Sequence, residues 1–297
     1  MKPPTIPDNV AHYDIRRGDS LWKISVHELG SGLLASDLAK LNGLALNARL
    51  AIGQRLIVPN YQRCDLTTTY MLSEMLKNAQ STEVKAISDA IKRSKSFHTA
   101  SDKAFEEIQK ASWYEIFKIS GSQATFETMI QMSGIAMAEA QGRWFVQVLD
   151  GGPWDHKPIL TKKYKEMGTP PRPFGSMNRA FHFPLRGDLF NEYYYDVWSN
   201  IHYGYIGTRC GFDETTLQAG AASGLPGAGD NDEGDIISVK IGIALWKKYG
   251  LKIDATILQK AITAQADTYL AARNMEIKKG IKAEKATNVV ITNNDYK

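Results

Sequence analysis

Residues 11–59 spell out a strand, two helices and a second strand, and so short a stretch with such clear punctuation leaves few ways to build a core. His12-Tyr13-Asp14-Ile15 alternates and reads as a strand. Arg16-Arg17-Gly18-Asp19-Ser20 breaks it, and Asp19 or Ser20 suits the N-cap of a helix opening at Leu21-Trp22-Lys23-Ile24. Gly30-Ser31-Gly32 interrupts. A second helix over Ser36–Leu41 stops at Asn42-Gly43, and Ala51–Pro59 reads as a turn and a closing strand.

The run Tyr13-x-Ile15-x-x-Gly18-Asp19-Ser20-Leu21-x-x-Ile24, followed by Leu41-Asn42 and Ile52-Gly53-Gln54-x-Leu56-x-x-Pro59, resembles a LysM module in full and in order. The resemblance implies binding to N-acetylglucosamine-containing glycan, which in a bacterium means peptidoglycan. It assigns contact to two loops, Gly18, Asp19, Ser20 and Leu21 in one and Leu50, Ile52, Gly53 and Gln54 in the other. Tight-loop backbone can hydrogen-bond an acetamido group while Leu and Ile meet its methyl. The Gly30-Ser31-Gly32 segment is a departure, since it lengthens the inter-helix loop. The alternative is a module serving only as a structural or loading adaptor.

The chain has 297 residues, which leaves room for a second, larger domain. We divide it into a Pro-rich lead-in (1–10), the module (11–59), a linker (60–66), a toxin-like catalytic domain (67–280) and a tail (281–297). Apolar residues recur at helical spacing from Thr67 to about Arg93, then through Phe105, Ile108 and Ala111, across Thr125–Ala140, and again over Glu233–Tyr249 and Asp254–Lys279. Ser94–Ser101 reads as a polar break, Arg143–Leu149 as a strand, and Pro170, Pro171, Pro173 and Pro184 mark a loop-rich middle. The expected class is α+β, mostly helical, with a small βααβ module and a helix-rich domain with a few short strands. A net charge of +4 favours anionic partners without choosing among peptidoglycan, teichoic acid and RNA. Cys64 and Cys210 read as free thiols, with one disulfide or a Cys210 nucleophile as the alternatives. No signal-peptide apolar core and no membrane-spanning stretch is evident. Action on a wall then requires another route out of the producer, such as an injection system or host lysis, and makes a secretion-system component a partner.

Three polar–aromatic clusters stand in contexts that read as loops. They are Gly151-Gly152-Pro153-Trp154-Asp155-His156-Lys157-Pro158, the run from Tyr195 to Gly207, and Asp230-Asn231-Asp232-Glu233-Gly234-Asp235. Together with Glu74-Met75-x-x-Asn78-Ala79, and with Ile241-Gly242 behind the acidic cluster, they resemble the polymorphic toxin type 44 domain of bacterial conflict systems, over roughly Thr67 to Tyr249. That resemblance implies a toxin with a cognate immunity protein, and a ribonuclease is the activity suggested for the family. A longer insert between Leu160 and Leu189 and an extra helix after Leu251 are departures.

Six residues are catalytic candidates: Glu74, Asp155, His156, His202, Asp232 and Asp235. A carboxyl in apolar surroundings gains a raised pKa and can act as a general acid, which is the case for Glu74; the alternative is pairing with Lys77 or Asn78 at helical spacing. Asp155 and His156 are adjacent, so one of them can act while the other orients a partner, or Asp155 serves a turn. His202, set among Asn200, Tyr203 and Tyr205, suits acid–base work near neutral pH; the alternative is a hydrogen-bonded core histidine. Asp232 and Asp235 fall on one helical face, where they can cap a helix or, with Asp230 and a His, bind a metal. Trp154, Lys157, Asn200, Tyr203 and Tyr205 are expected to contact substrate. There is no His-Glu-x-x-His, P-loop or Gly-x-Ser-x-Gly, so neither metal nor cofactor is expected. The reading that follows is a secreted antibacterial effector that hydrolyses a glycosidic bond of peptidoglycan in the target's periplasm or wall. The alternatives are a ribonuclease toxin and a non-enzymatic wall-binding scaffold.

Overall fold

The computed structural model describes residues 10–29, 32–59, 62–110, 120–166, 182–185, 188–221, 232–280 and 289–291. Strand β1 (Val10–Asp14) pairs antiparallel with β2 (Arg55–Pro59), in a register that sets Tyr13 opposite Leu56. Between them lie α1 (Leu21–Leu29), a 3-10 turn (Gly32–Leu34) and α2 (Ala35–Leu41). Ile15, Leu21, Ile24, Leu29, Ala35, Leu38, Ala39, Leu56 and Val58 close a core of their own. This is the βααβ unit that the sequence pattern implies.

Asn42 ties the end of α2 to the free edge of β2. Its Nδ2 donates to Leu38 O and Ile57 O, both at 2.9 Å, and its Oδ1 accepts from Ile57 N at 2.7 Å. Asn42→Ala is expected to cost the module about 1–3 kcal/mol by leaving these half-buried groups unpaired. Faster hydrogen exchange at the Ile57 amide and a lower urea midpoint for the module would show it.

The larger part begins with α3 (Gln62–Ala79), α4 (Thr82–Lys110), α5 (Ser120–Val148) and α6 (Lys157–Glu166). A three-stranded antiparallel sheet follows in the order β3 (His182–Leu185), β4 (Asp188–Tyr194) and β5 (Val289–Ile291). The remaining helices are α7 (Asp196–Cys210), α8 (Glu214–Ala221), α9 (Glu233–Tyr249), α10 (Ala255–Thr263) and α11 (Ala266–Lys278). One core runs through them from Met71 and Met75 to Tyr269. No described helix is long and apolar enough to cross a membrane.

Four local expectations are corrected. Arg143–Leu149 is not a strand, because all but Leu149 form the last turns of α5. Ser94–Ser101 is no break, because it continues α4, with Ser94 and Ser101 buried along the helix. The segment after Asp254 is two helices, parted at Ala264-Gln265. The run from Tyr195 to Gly207 is not a loop but most of α7, nearly all of it buried, so it shows no polar face to mark it as a helix. Helix α3 starts inside the span read as linker, and β5 lies inside the span read as tail. Residues 1–9, Gly30, Ser31, Pro170, Pro171, Pro173, Asp230 and Asn231 lie outside the described residues. Cys210 is a buried free thiol.

Helices α7 and α9 cross backbone to backbone. A Cβ on Gly204 would sit 2.1 Å from Val239 O, and one on Gly242 would sit 2.1 Å from Ile201 O. Only glycine permits this approach, which sets the residues around His202 directly against the first turns of α9.

Candidate active site

The connection from α5 to α6 is a tight turn built on two glycines. Gly151 has φ 75°, in the left-handed region, and a Cβ on Gly152 would lie 2.6 Å from Gln147 O. Asp155 closes this turn. Its Oδ2 accepts from Gly151 N at 3.0 Å and its Oδ1 from Lys157 N at 3.3 Å, which also caps α6. With Asp155 engaged in the turn, His156 is carried inward and is fully buried. Trp154 packs edge-on against Trp144, with centroids 5.7 Å apart.

The structure brings His156 to His202 of α7. The two Nε2 atoms are 3.3 Å apart and the rings meet edge to face, with centroids at 4.4 Å. Two residues of α3 close the chain of contacts: Asn78 Nδ2 is 3.0 Å from His202 Nε2, and Tyr70 OH is 3.2 Å from His156 Nδ1. Burial lowers the pKa of both imidazoles, and His156 lowers that of His202 further, so both are neutral near pH 7. Burial, aided by Glu74, pushes the Tyr70 phenol up to about 12.

Carboxylates gather on the other side of α7. Asp232 caps α9, its Oδ1 accepting from Asp235 N at 2.8 Å, while Asp235 Oδ2 accepts from Asp232 N, a reciprocal capping box. Asn200 Nδ2 donates to Asp235 Oδ1. Asp196, at the start of α7, has Lys157 Nζ 3.9 Å from its Oδ2, and its Oδ1 is a buried atom with no hydrogen-bond partner. Burial opposes the charge on Lys157, but Asp196, Asp235, Tyr195 and Asp155 more than restore it. Burial pushes Asp196 up to about 8 and Asp232 up to about 7, with the Asp235 charge adding to both. Asp196 was not singled out from sequence, and nothing in a lone Asp at a helix start would have marked it.

These shifts set a pH dependence. A carboxyl raised in the folded state stabilises fully below its unfolded pKa, and that contribution is lost as pH rises through the folded value. A histidine lowered in the folded state acts oppositely, losing stability as pH falls below about 6.5. Below that pH the two pairs counteract each other. As pH rises from about 6.5 to 8 the raised Asp196 and Asp232 carboxyls ionise, so stability is expected to fall by on the order of 1 kcal/mol per pH unit, and the melting temperature with it. Asp196→Asn should flatten that fall in a thermal scan series.

A cleft of about 800 Å³ opens over these groups. Trp144, Phe145, Trp154, Tyr203 and Phe212 wall it, and Asp155, Lys157, Asn200, His202 and Asp235 offer polar atoms. His156 lies one residue deeper, behind His202. Three sequence candidates are placed elsewhere. Glu74 is not among the cleft-lining residues and pairs with Lys77 at 3.3 Å, the alternative that its helical spacing allowed. Tyr205 is fully buried, donating to Gly250 O at 2.7 Å and packing on Trp246, which corrects its expected contact with substrate. Asp232 caps α9 and is not among the cleft-lining residues, whereas Asp235, the other half of the same capping box, is. Among the described residues no group of three or more His, Cys, Asp and Glu could hold a metal ion.

In the small module the second expected loop is fastened to the residue that leads from β1 toward the first: Ile15 N donates to Gln54 O, and Gly53 N to Ile15 O, both at 2.8 Å. Ile52 is 71% exposed, whereas Leu21 is buried in the module core and is therefore unavailable to a ligand. Asp19 Oδ2 accepts from Arg16 N at 2.7 Å and Tyr13 OH at 2.9 Å, Ser20 Oγ caps α1 through Lys23 N, and Gln54 Oε1 accepts from Ala51 N, so these side chains hold their own loops.

Fold and cleft thus define a two-part protein, a βααβ module followed by a helical domain that gathers the reactive side chains. Residues 13–59 match the family model of the LysM domain and residues 143–248 that of Bacterial toxin 44, in that order along the chain. No curated protein and no solved structure matches the chain. The toxin match takes in the His156–His202 pair and the Asp235 cluster, but Tyr70, Glu74 and Asn78 precede it.

Proposed function

We propose that this chain is an antibacterial effector that hydrolyses the glycan of peptidoglycan, with the LysM module holding it on the wall. The observation that carries the choice of substrate is the charge of the cleft. Among the described residues its lining includes Asp150, Asp155 and Asp235 against one ammonium, that of Lys157, and His202 is neutral. Such a cleft repels a polyphosphate, whereas a ribonuclease gathers cations around its substrate. Five aromatic walls suit the apolar faces of sugar rings. In this reading water adds to the anomeric carbon as the glycosidic bond breaks. Asp235 takes the water's proton, and His202 supplies one to the departing oxygen. A toxin domain also implies a cognate immunity protein as partner.

Purified protein incubated separately with sacculi and with total RNA tests the proposal. Release of muropeptides with the RNA intact is the expected result, and RNA loss with intact sacculi would overturn it. Ile52→Glu should weaken sacculus binding by roughly tenfold or more, the value of one apolar side chain withdrawn from a contact. Turnover of a soluble glycan fragment should be unchanged in the same variant.

A further inference from the structure

We infer that His202 works as a neutral hydrogen donor through Nδ1, locked in that tautomer from behind by Asn78 and His156, with Asn78, His156 and Tyr70 as positioning residues. The inference rests on the proposed hydrolase reading for the identity of the acceptor, but its structural core does not.

The argument follows the protons. Asn78 Nδ2 carries hydrogens only, so at 3.0 Å it can only donate, and His202 Nε2 must be the acceptor. A neutral imidazole that accepts at one nitrogen carries its proton on the other, so His202 holds its hydrogen on Nδ1. His156 also meets Nε2 of His202, at 3.3 Å, and must therefore donate from its own Nε2. That leaves His156 Nδ1 as an acceptor, and the Tyr70 hydroxyl at 3.2 Å donates to it. With both imidazoles neutral, His202 Nε2 receives Asn78 and His156 together on its single lone pair, a three-centre bond in which the 3.0 Å contact from Asn78 is the shorter. Both of these contacts of His202 are at Nε2, and among the described residues its Nδ1 makes no hydrogen bond. His202 lines the cleft, so Nδ1–H is the group it presents there.

The arrangement makes His202 a donor to substrate rather than a base. When Nδ1–H passes to a leaving sugar oxygen, the C–O bond breaks with its electron pair on that oxygen. His202 Nε2 takes the proton of His156 Nε2 as this happens. Tyr70 gives its hydroxyl proton to His156 Nδ1, is left as a phenolate, and is reprotonated from solvent while Asp235 releases the proton taken from water. A residue that fixes a histidine tautomer matters greatly: holding a catalytic histidine in the wrong tautomer costs about 10⁴-fold in turnover in a serine protease.

The experiment is long-range proton–nitrogen NMR on the full chain labelled with ¹⁵N-histidine, with peaks assigned through His156→Gln and His202→Gln. His202 is expected to be neutral and protonated at Nδ1 between about pH 6 and 8. Finding it protonated at Nε2, or charged, would overturn the inference. Asn78→Asp replaces the donor with an acceptor and should move the proton to Nε2, with kcat on soluble glycan down roughly 10²–10⁴-fold and KM little changed. If that variant does not fold, Tyr70→Phe is read instead: it should leave the His202 tautomer intact and lower kcat by roughly tenfold or more. An unchanged kcat in Tyr70→Phe would remove Tyr70 from the chain of positioning residues. The Nδ1–H form without any muropeptide release would leave the tautomer assignment standing and reject the hydrolase reading.

Discussion

Gly204→Ala is expected to yield little soluble protein, and what folds should be less stable by at least about 3 kcal/mol. The added methyl would land 2.1 Å from a backbone oxygen, Val239 O, and 3.1 Å from Val239 Cα. No rotamer can relieve a clash with main chain. Relief requires α7 and α9 to separate along their whole crossing, which opens the core around Ile201 and Val239. Gly242→Ala should behave the same way from the opposite helix, since its methyl would meet Ile201 O and Tyr205 N. The control is Gly134→Ala in α5, where a Cβ meets nothing within 4 Å. That change should stabilise by up to about 1 kcal/mol through helix propensity alone. Urea denaturation of the three variants separates the cases, and wild-type stability in Gly204→Ala would refute the backbone contact.

Asp235→Asn and His202→Gln are each expected to lower muropeptide release by about 10²–10⁴-fold while the circular dichroism spectrum is retained. Both residues line the cleft, on helices held together by the glycine crossing. Asp235→Asn keeps an oxygen for the Asp232 amide, and Asn200 can turn its own amide to accept from the new NH2, so the cap of α9 survives and the loss is chemical. In His202→Gln the ring and its proton vanish, but a polar group remains near Asn78. Glu74→Gln is the contrasting case. Its carboxylate sits outside the cleft beside Lys77, so release should stay within about twofold of wild type, an ion pair so exposed on the lysine side being worth well under 1 kcal/mol. A collapse of activity in Glu74→Gln, with His202→Gln fully active, would place the chemistry elsewhere.

The small module was readable because each of its turns is named by a residue with one conformational use: Gly18 and Gly53 have φ 89° and 81°, and Asn42-Gly43 ends α2. Helix α7 was not, for the opposite reason. Gly204 and Gly207 look like breaks in a sequence, yet they are the points where Val239 and Leu217 press against the helix. Burial on nearly all sides removed the polar face that marks most helices. Arg143–Leu149 alternates within too few residues to separate a strand from two helical turns. The histidines were legible one at a time, but their pairing was not. His202 meets Asn78 across 124 positions and His156 across 46, and no local pattern encodes contacts of that range. The acidic pair before α9 was open to capping or metal binding, and the reciprocal bonds between Asp232 and Asp235 are a cap.

The fastening of the second module loop to Ile15 has a consequence for recognition. The amide and carbonyl of this one residue bond Gln54 and Gly53, so that loop cannot swing without pulling away from the end of β1. In the proposed glycan-binding role, a sugar arriving there meets a loop already fastened in place, and little chain freedom is lost on contact. A pre-ordered site of this kind suits a ligand that offers only a few weak contacts per sugar and repeats along a strand, because each binding event can be brief while the next identical unit lies close at hand.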